Sequence, residues 1–110
     1  MLFFRKPSAG NVPVNVAFKN HIIESGSLLI YNSGKSRLTN IHIVLHNSDK
    51  KEFIYNRELI STRSNETIDF AVQVDLNGSL FQGELIKVTI ETGGLKWNFK
   101  PTAEGKFVKV

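Results

Sequence analysis

The sequence predicts an all-β domain, a sandwich of about seven antiparallel strands in two sheets. Three observations predict it. Apolar and polar residues alternate over short runs, as in strands with one buried face. Turn-forming residues separate these runs at intervals of about 8–12 residues, which is typical of sandwiches and small barrels. No window of about 11 residues combines helical periodicity with a cap and a stop signal. A jelly roll or another small barrel is the alternative fold.

Length and composition fit one domain without cysteine. The chain has 110 residues, a usual size for a domain with a single core. Its 41% hydrophobic and 22% charged residues are ordinary for a globular protein. The absence of cysteine excludes disulfides and thiolate metal sites. The net charge of +4 comes from scattered lysines and arginines, which permits an acidic partner but does not favour nucleic acid.

We divide the chain into an arm, a sandwich and a tail. Residues 1–11 predict an N-terminal arm, residues 12–100 hold the sandwich, and residues 101–110 form a tail or a last edge strand. No run reaches the roughly 20 apolar residues of a membrane helix, and the apolar start is too short for a signal peptide. We therefore expect a cytosolic chain or an excised piece of a larger protein, without insertion into a membrane.

The first strands are organised around residues 28–45, LLIYNSGKSRLTNIHIVL, in which a polar turn segment joins two apolar runs. Residues 28–31 are apolar throughout, which predicts a central strand covered on both faces. Residues 41–45 alternate, as in a half-buried strand. The polar segment could join neighbours in one sheet or cross between the sheets. Before this pair, residues 12–18 also alternate, and Pro13 predicts an edge strand because proline cannot donate to a ladder.

The middle of the chain predicts two further strands. After a turn cluster at 47–50, residues 51–55 predict a short strand. Residues 66–74, ETIDFAVQV, alternate without interruption and predict a longer one. Its expected inward side chains are those of Ile68, Phe70, Val72 and Val74. The Asn77-Gly78 pair that follows is the usual sequence of a tight turn.

The last third of the chain predicts a hairpin and an edge strand. Residues 84–91 alternate, with inward side chains expected at Ile86, Val88 and Ile90. Gly93-Gly94 then predicts a tight turn into residues 95–99. The inward side chains of that strand are expected to be Leu95, Trp97 and Phe99. Pro101 should end the strand, after which the apolar residues Phe107, Val108 and Val110 predict a last edge strand.

Two motifs of turn residues each precede an alternating strand. One runs from Asn32-Ser33-Gly34 to Leu38-Thr39-Asn40, before the strand at 41–45, and the other is Ser64-Asn65-Glu66-Thr67, which leads into Ile68-Asp69-Phe70. With these motifs, residues 14–100 resemble the immunoglobulin-like and fibronectin-type-III-like sandwich domains of bacterial surface proteins, the cell-adhesion-related class. That family often has Pro-Gly where Ser64-Asn65 stands here. The resemblance implies an immunoglobulin-like fold and a spacer, adhesion or docking role, with no catalytic residues.

The sequence contains no catalytic or metal-binding motif that we recognise. It has neither a Gly-x-Ser-x-Gly elbow nor a phosphate loop, and its acidic residues do not pair at a spacing that would make an acid–base couple. His42 and His46 share a strand face, but four strand residues span roughly 13 Å. Two zinc ligands each lie about 2 Å from the ion, so this pair cannot share one. We expect no enzyme, cofactor or metal.

The aromatic and basic residues near the C-terminus allow two interpretations each. Trp97 is either a core side chain or part of an exposed aromatic platform for sugar, with Tyr31 or Tyr55 as a companion. The lysines either protect strand edges or attract an acidic partner. The candidate binding residues are Trp97, Lys96, Lys100, Tyr55, Phe107 and Lys109.

The function that these observations favour is a non-catalytic interaction or structural module. It would bind a protein partner, or a second copy of itself, through loops or through an exposed strand edge. The tail at 107–110 is the segment that we expect to extend a sheet or to exchange between copies. The alternatives are a carbohydrate-binding module with surface aromatics and a binder of an anionic polymer.

Overall fold

The computed structural model describes residues 14–18, 27–103 and 106–110. These residues form eight β-strands and no α-helix, with a single 3-10 turn, Phe70–Val72, after the fifth strand. In chain order the strands are β1 Val14–Phe18, β2 Ser27–Asn32, β3 Leu38–Asn47, β4 Glu52–Ile60, β5 Asn65–Asp69, β6 Leu85–Thr92, β7 Leu95–Pro101 and β8 Phe107–Lys109.

The strands make two antiparallel sheets. The smaller sheet has the order β1-β2-β5, and the larger has the order β4-β3-β6-β7-β8. The predicted all-β sandwich is therefore confirmed, and in the described part of the chain the sheets do not close into a barrel. β1 and β8 are edge strands, as the sequence predicts for both. The predicted N-terminal arm at 1–11 lies outside the described residues.

The segment at 28–45 crosses between the sheets. β2 is the central strand of the small sheet, whereas β3 lies in the large one, so residues 33–37 carry the chain from one layer to the other. Leu28 and Ile30 are buried, but Leu29 and Tyr31, which point to the other face, are only half-buried. The central position of this strand is confirmed, whereas full cover on both faces is wrong.

Asn32 fixes this crossing. Its side chain is fully buried, and its Nδ2 donates to the carbonyl oxygens of Ser36 (2.9 Å), Ile60 (3.2 Å) and Ser61 (3.3 Å). Its Oδ1 accepts from the backbone N–H of Gly34 at 3.0 Å. One amide thus joins the crossing segment to the end of β4, and its own buried donors and acceptor all have partners.

Asn47 likewise bonds to backbone groups through its side-chain amide, at the opposite end of the sandwich. Its Oδ1 accepts from the backbone N–H groups of Asp49 (3.1 Å) and Lys51 (2.8 Å), which closes the β3–β4 turn. Its Nδ2 donates to the carbonyl of Gln82 at 2.9 Å. That ties the turn to the segment before β6. Gly83 completes the contact, because a Cβ there would lie 2.5 Å from the hydroxyl oxygen of Ser48.

The core lies between the two sheets. Trp97 and Phe99 belong to it, as one of the two interpretations of Trp97 predicts. Phe81 also enters the core, although no pattern in the sequence predicts it. Its ring centre lies 4.9 Å from that of Phe53 and 5.3 Å from that of Phe70. The buried hydrophobic residues are Val14, Val16, Leu28, Ile30, Ile41, Ile43, Leu45, Phe53, Ile60, Ile68, Phe70, Phe81, Leu85, Val88, Ile90, Trp97 and Phe99.

The predicted strand at 66–74 is wrong beyond Asp69. β5 ends there, and the 3-10 turn Phe70–Val72 follows. The sequence still alternates beyond Asp69, but the turn changes the direction in which the side chains point. Val72 is consequently 62% exposed, and Val74 is exposed as well. The apolar–polar alternation of a sequence does not by itself show where a strand stops, because a short turn preserves the pattern but changes the direction of the side chains.

A β-bulge explains the second error. His46 pairs with Lys87, whereas the next residue, Asn47, pairs with Leu85. Ile86 is skipped, and its side chain is exposed although we expected it inside. Leu85 takes the inward position instead. A bulge inserts one residue on one strand, so the sequence pattern on either side of it appears shifted by one.

The remaining predicted turns and strands differ from the structure in length and in the direction of one side chain, Leu95. The strand expected at 51–55 extends to Ile60. The β6–β7 hairpin turns at Gly93 and Gly94, whose φ angles of 58° and 78° are both left-handed, as a two-residue turn of this kind requires. Leu95 follows that turn and is exposed rather than inward.

Candidate interaction surface

The structure places three of the predicted binding residues, Trp97, Tyr55 and Phe107, in or against the core. Trp97 lies on the inner face of β7 and is only 6% exposed. Phe107 is half-buried and packs against the same core. The core interpretation of Trp97 therefore holds, and the exposed ring that a sugar platform needs is absent at this position.

Tyr55 connects the two sheets. Its hydroxyl donates to Glu66 Oε1 at 2.8 Å, and Arg57 Nε lies 3.1 Å from the same oxygen. Because Tyr55 and Arg57 are on β4 and Glu66 is on β5, the three side chains join the open edges of the large and small sheets. Burial raises the pKa of Tyr55, and the hydrogen bond to Glu66 raises it further.

The predicted lysines do not form one basic patch. Lys96 and Lys100 are exposed on β7 and lie four residues apart, so they share its outer face. Lys96 Nζ lies 3.7 Å from a carboxylate oxygen of Glu91, which offsets part of its charge. Lys109 pairs with Phe99, a core residue, and therefore lies on the other face at the sheet edge.

His46 belongs to a chain of hydrogen bonds on the outer face of the large sheet. The Thr89 hydroxyl donates to Asn98 Oδ1 at 2.9 Å, so its oxygen accepts from His46 Nε2–H at 3.0 Å. The other ring nitrogen, Nδ1, lies 3.4 Å from a Glu52 oxygen and carries a proton only when the imidazole is charged. Burial lowers the pKa of His46 from 6.5, the Lys87 ammonium lowers it further, and Glu52 opposes both.

This shift predicts that the protein loses stability on acidification. The folded-state pKa of His46 lies below that of the unfolded chain, so the unfolded state binds the proton more readily. The stability that neutral His46 contributes is present above pH 6.5 and is lost as the pH falls through the folded-state pKa. Urea unfolding between about pH 5 and pH 8 should show this loss, and His46→Gln should reduce it. An equal pH dependence in both proteins would contradict the assignment.

His42 lies on the same strand, but near different partners. Its Nδ1 is 2.6 Å from Asn56 Oδ1. A shallow concavity of about 430 Å³ and another of about 460 Å³ flank it, and Asn40 contributes to both. Asn40 has a left-handed φ of 51°, which asparagine tolerates better than most residues. Within the described residues, no group of three or more His, Asp and Glu side chains could hold a metal ion.

A small hairpin at residues 73–81 projects from the long connection between β5 and β6. Val74 pairs with Leu80, and the N–H of Phe81 donates to the carbonyl of Gln73 at 2.9 Å. We call residues 73–81 the apolar hairpin. Its two arms are antiparallel, so Gln73 and Phe81 face one side and the Val74–Leu80 pair faces the other.

The apolar hairpin is anchored on one side and bare on the other. Phe81 is buried in the core, where its ring packs between those of Phe53 and Phe70. On the opposite side Val74 and Leu80 are exposed, and Leu76 at the tip is 92% exposed. The fold therefore holds these aliphatic side chains in solvent, where they add nothing to the core.

The tip of this hairpin has a defined conformation. Asp75 Oδ1 accepts from the N–H groups of Asn77 and Ser79, both at 2.9 Å. Gly78 adopts the left-handed φ of 79° that such a turn needs. Leu76 sits between these bonded residues, so its backbone is fixed although its side chain is free of the core.

The hairpin tip lies beside the β3–β4 turn. Together they line a shallow concavity of about 270 Å³, to which the turn contributes Lys50 and Lys51 and the tip contributes Leu76. The sequence does not predict this surface, because the alternation of residues 66–74 places Val72 and Val74 in the core. The one available signal was an isolated leucine inside the turn sequence Asp-Leu-Asn-Gly, where burial is not expected.

In the described part of the chain, no helix is long and apolar enough to cross a membrane. The sequence and structure were compared with protein-family models, curated proteins and solved structures, and nothing matched.

Proposed function

We propose that this protein is a non-catalytic protein-interaction module that binds its partner through the apolar hairpin. The observation that carries the proposal is Leu76, which is 92% exposed on a turn closed by two hydrogen bonds to the Asp75 side chain. Single exposed leucines are common on protein surfaces. A cluster of them on a projecting, anchored loop is typical of a binding surface, because loops on a rigid scaffold carry recognition.

The charges around the hairpin favour a protein partner. Lys50 and Lys51 lie beside Leu76, and Asp49, Asp75 and Glu84 belong to the same end of the sandwich. Positive and negative side chains around an apolar centre are typical of the rim of a protein–protein interface. An anionic membrane or polymer would instead need an excess of positive charge, which these five side chains do not provide.

The strand order supports an immunoglobulin-like domain in this role. With the strands lettered in chain order, β1, β2 and β5 correspond to A, B and E, and β4, β3, β6 and β7 correspond to C′, C, F and G. Immunoglobulin domains distribute their strands between two sheets in this manner. β8 is an additional edge strand. Domains of this kind present loops at the two ends of the sandwich, as the apolar hairpin is presented here.

Site-specific cross-linking tests the proposal, because the chain contains no cysteine. A photo-cross-linker attached to Asn77→Cys, beside Leu76, should capture a partner protein in extract of the source cells. The same reagent at Lys35→Cys, on an exposed turn at the opposite end, serves as the matched control. Adding Leu76→Asp to Asn77→Cys should abolish capture, since a carboxylate cannot enter an apolar pocket without a large desolvation cost.

Three comparisons decide the outcome. The proposal predicts an adduct at position 77 that is absent at position 35 and absent with Leu76→Asp, while urea unfolding shows equal stability for all three proteins. Equal adducts at both positions, or an adduct that persists with Leu76→Asp, would show that the hairpin does not recognise the partner. Capture of nothing at position 77 would contradict it as well.

A further inference from the structure

We propose that two copies of this protein associate by pairing their β4 strands across a two-fold axis, which would join the two large sheets into one. This inference concerns another surface than the apolar hairpin and another partner, a second copy of the chain. β4 is nine residues long and pairs with β3 on one side. Among the described residues, no strand lies along its other side.

β4 differs from the other edge strands in length. β8 has three residues, and β1 and β5 have five each. β1 and β8 also approach each other, since Ala17 pairs with Lys106 across the two sheets. An exposed edge presents a row of unpaired backbone donors and acceptors, and that row is longest on β4.

β4 has no proline and no lysine, the residues that most often keep strand edges apart. Its sequence, EFIYNRELI, carries three charged residues, Glu52, Arg57 and Glu58. β1 follows Pro13, and β8 contains Lys109 after Lys106, so both have residues that discourage pairing. On β4, by contrast, Ile54 and Leu59 are 41% and 42% exposed. A long edge with exposed apolar side chains is a site where another strand adds.

The charges on β4 select one register for a second copy. When two identical strands pair antiparallel, residues of one sheet face lie opposite residues of the same face only if the two-fold axis passes through a residue. An axis through Tyr55 would oppose Glu52 to Glu58, and an axis through Arg57 would oppose two arginines. An axis through Asn56 opposes no like charges. It pairs Ile54 with Glu58, Tyr55 with Arg57, and Asn56 with its own copy. The pairing is confined to this middle part of the strand, because further out the buried Phe53 and Ile60 would lie opposite the exposed Leu59 and Glu52.

The side chains at this axis complement one another. Asn56 Oδ1 is held by His42 at 2.6 Å, which leaves its Nδ2 to donate to Asn56 of the second copy. Tyr55 would lie opposite the second copy's Arg57, and aromatic–guanidinium contact is favourable. Each of these contacts occurs twice because of the symmetry.

Two substitutions at position 54 test both the dimer and its register. In the proposed pairing, Ile54→Glu would face Glu58 of the second copy at two places, and Ile54→Lys would form two opposite-charge pairs there. Sedimentation equilibrium should therefore show a dimer in the unaltered protein, an association constant about tenfold lower for Ile54→Glu, and dimerisation retained in Ile54→Lys. The double variant Ile54→Glu, Glu58→Lys should recover the dimer.

Controls separate this inference from its alternatives. Urea unfolding at low protein concentration should give similar stabilities for the position-54 variants, because Ile54 lies at the surface. A protein that stays monomeric, or one in which glutamate and lysine at position 54 act alike, overturns the proposed pairing. A dimer that disappears when residues 107–110 are removed would mean exchange of the tail instead. None of these outcomes depends on the cross-linking at Asn77.

Discussion

Replacing Asn32 by aspartate should lower the free energy of unfolding by about 3–5 kcal/mol at neutral pH, although the two side chains have the same shape. The amide Nδ2 donates to the carbonyls of Ser36, Ile60 and Ser61. A carboxylate oxygen in its place would face those three acceptors with a negative charge and no proton to share. Because Asn32 is fully buried, water cannot stabilise that charge.

The pH dependence of this deficit distinguishes buried charge from lost packing. The new carboxyl should have its folded-state pKa raised above the unfolded value of about 3.9, because burial and the carbonyl oxygens disfavour the ionised form. Its penalty should therefore be smallest below that value and grow as the pH rises. Asn65→Asp, at an exposed position on β5, is the control and should change stability by less than about 0.5 kcal/mol. Urea unfolding of both variants, relative to the parent protein, checks this.

A deficit in Asn32→Asp that stays constant from acid to neutral pH would contradict the hydrogen-bond assignment. So would equal effects at positions 32 and 65. Either result would mean that the amide orientation, and with it the anchoring of the crossing segment, differs from the bonds described above.

Asn32 also shows how far the sequence can lead. Its place in Asn-Ser-Gly, between two apolar runs, predicts a turn, and the turn is there. The sequence does not show that the turn crosses between sheets, because that depends on which strands pair. Nor does it show that the side chain bonds to the carbonyls of Ile60 and Ser61, which are 28 and 29 residues further along the chain.

Strand existence was easier to predict than strand ends. Most alternating runs proved to be strands, since a half-buried strand needs that pattern wherever it lies. The errors fall at Val72 and Ile86, where a 3-10 turn and a β-bulge change the direction of side chains without changing the pattern. Both features depend on the packing of the β5–β6 connection, which carries Phe81 into the core.

The candidate surface was less accessible from the sequence than the fold. The sequence does not distinguish an exposed aliphatic side chain from a buried one. The exposure of Leu76 and Val74 therefore became evident only from the structure, in which the hairpin turns its other side inward. The register of β4 is different, because the charges that select it can be read directly from the strand. What the sequence lacked was the knowledge that β4 lies at an edge.

The second large effect is expected at Trp97, whose removal should take away a large part of the free energy of unfolding. Trp97→Ala empties a large volume between the sheets and should cost about 3–5 kcal/mol, against a total stability of about 5–15 kcal/mol for a domain of ordinary size. Thermal unfolding should show the loss, and Lys96→Ala, on the exposed face of the same strand, is the matched control with little expected change.

Fluorescence provides a second, independent measure of the same burial. Trp97 is the one tryptophan in the chain, so the emission reports its environment alone. At 6% exposure it should emit at short wavelength and resist an aqueous quencher until the protein unfolds. A red-shifted, readily quenched signal from the folded protein, together with a stable Trp97→Ala variant, would place the indole at the surface and return the sugar platform to consideration. The burial of Trp97 predicts instead a protected, short-wavelength emission together with a destabilised Trp97→Ala variant, because the same packing protects the ring from water and stabilises the fold.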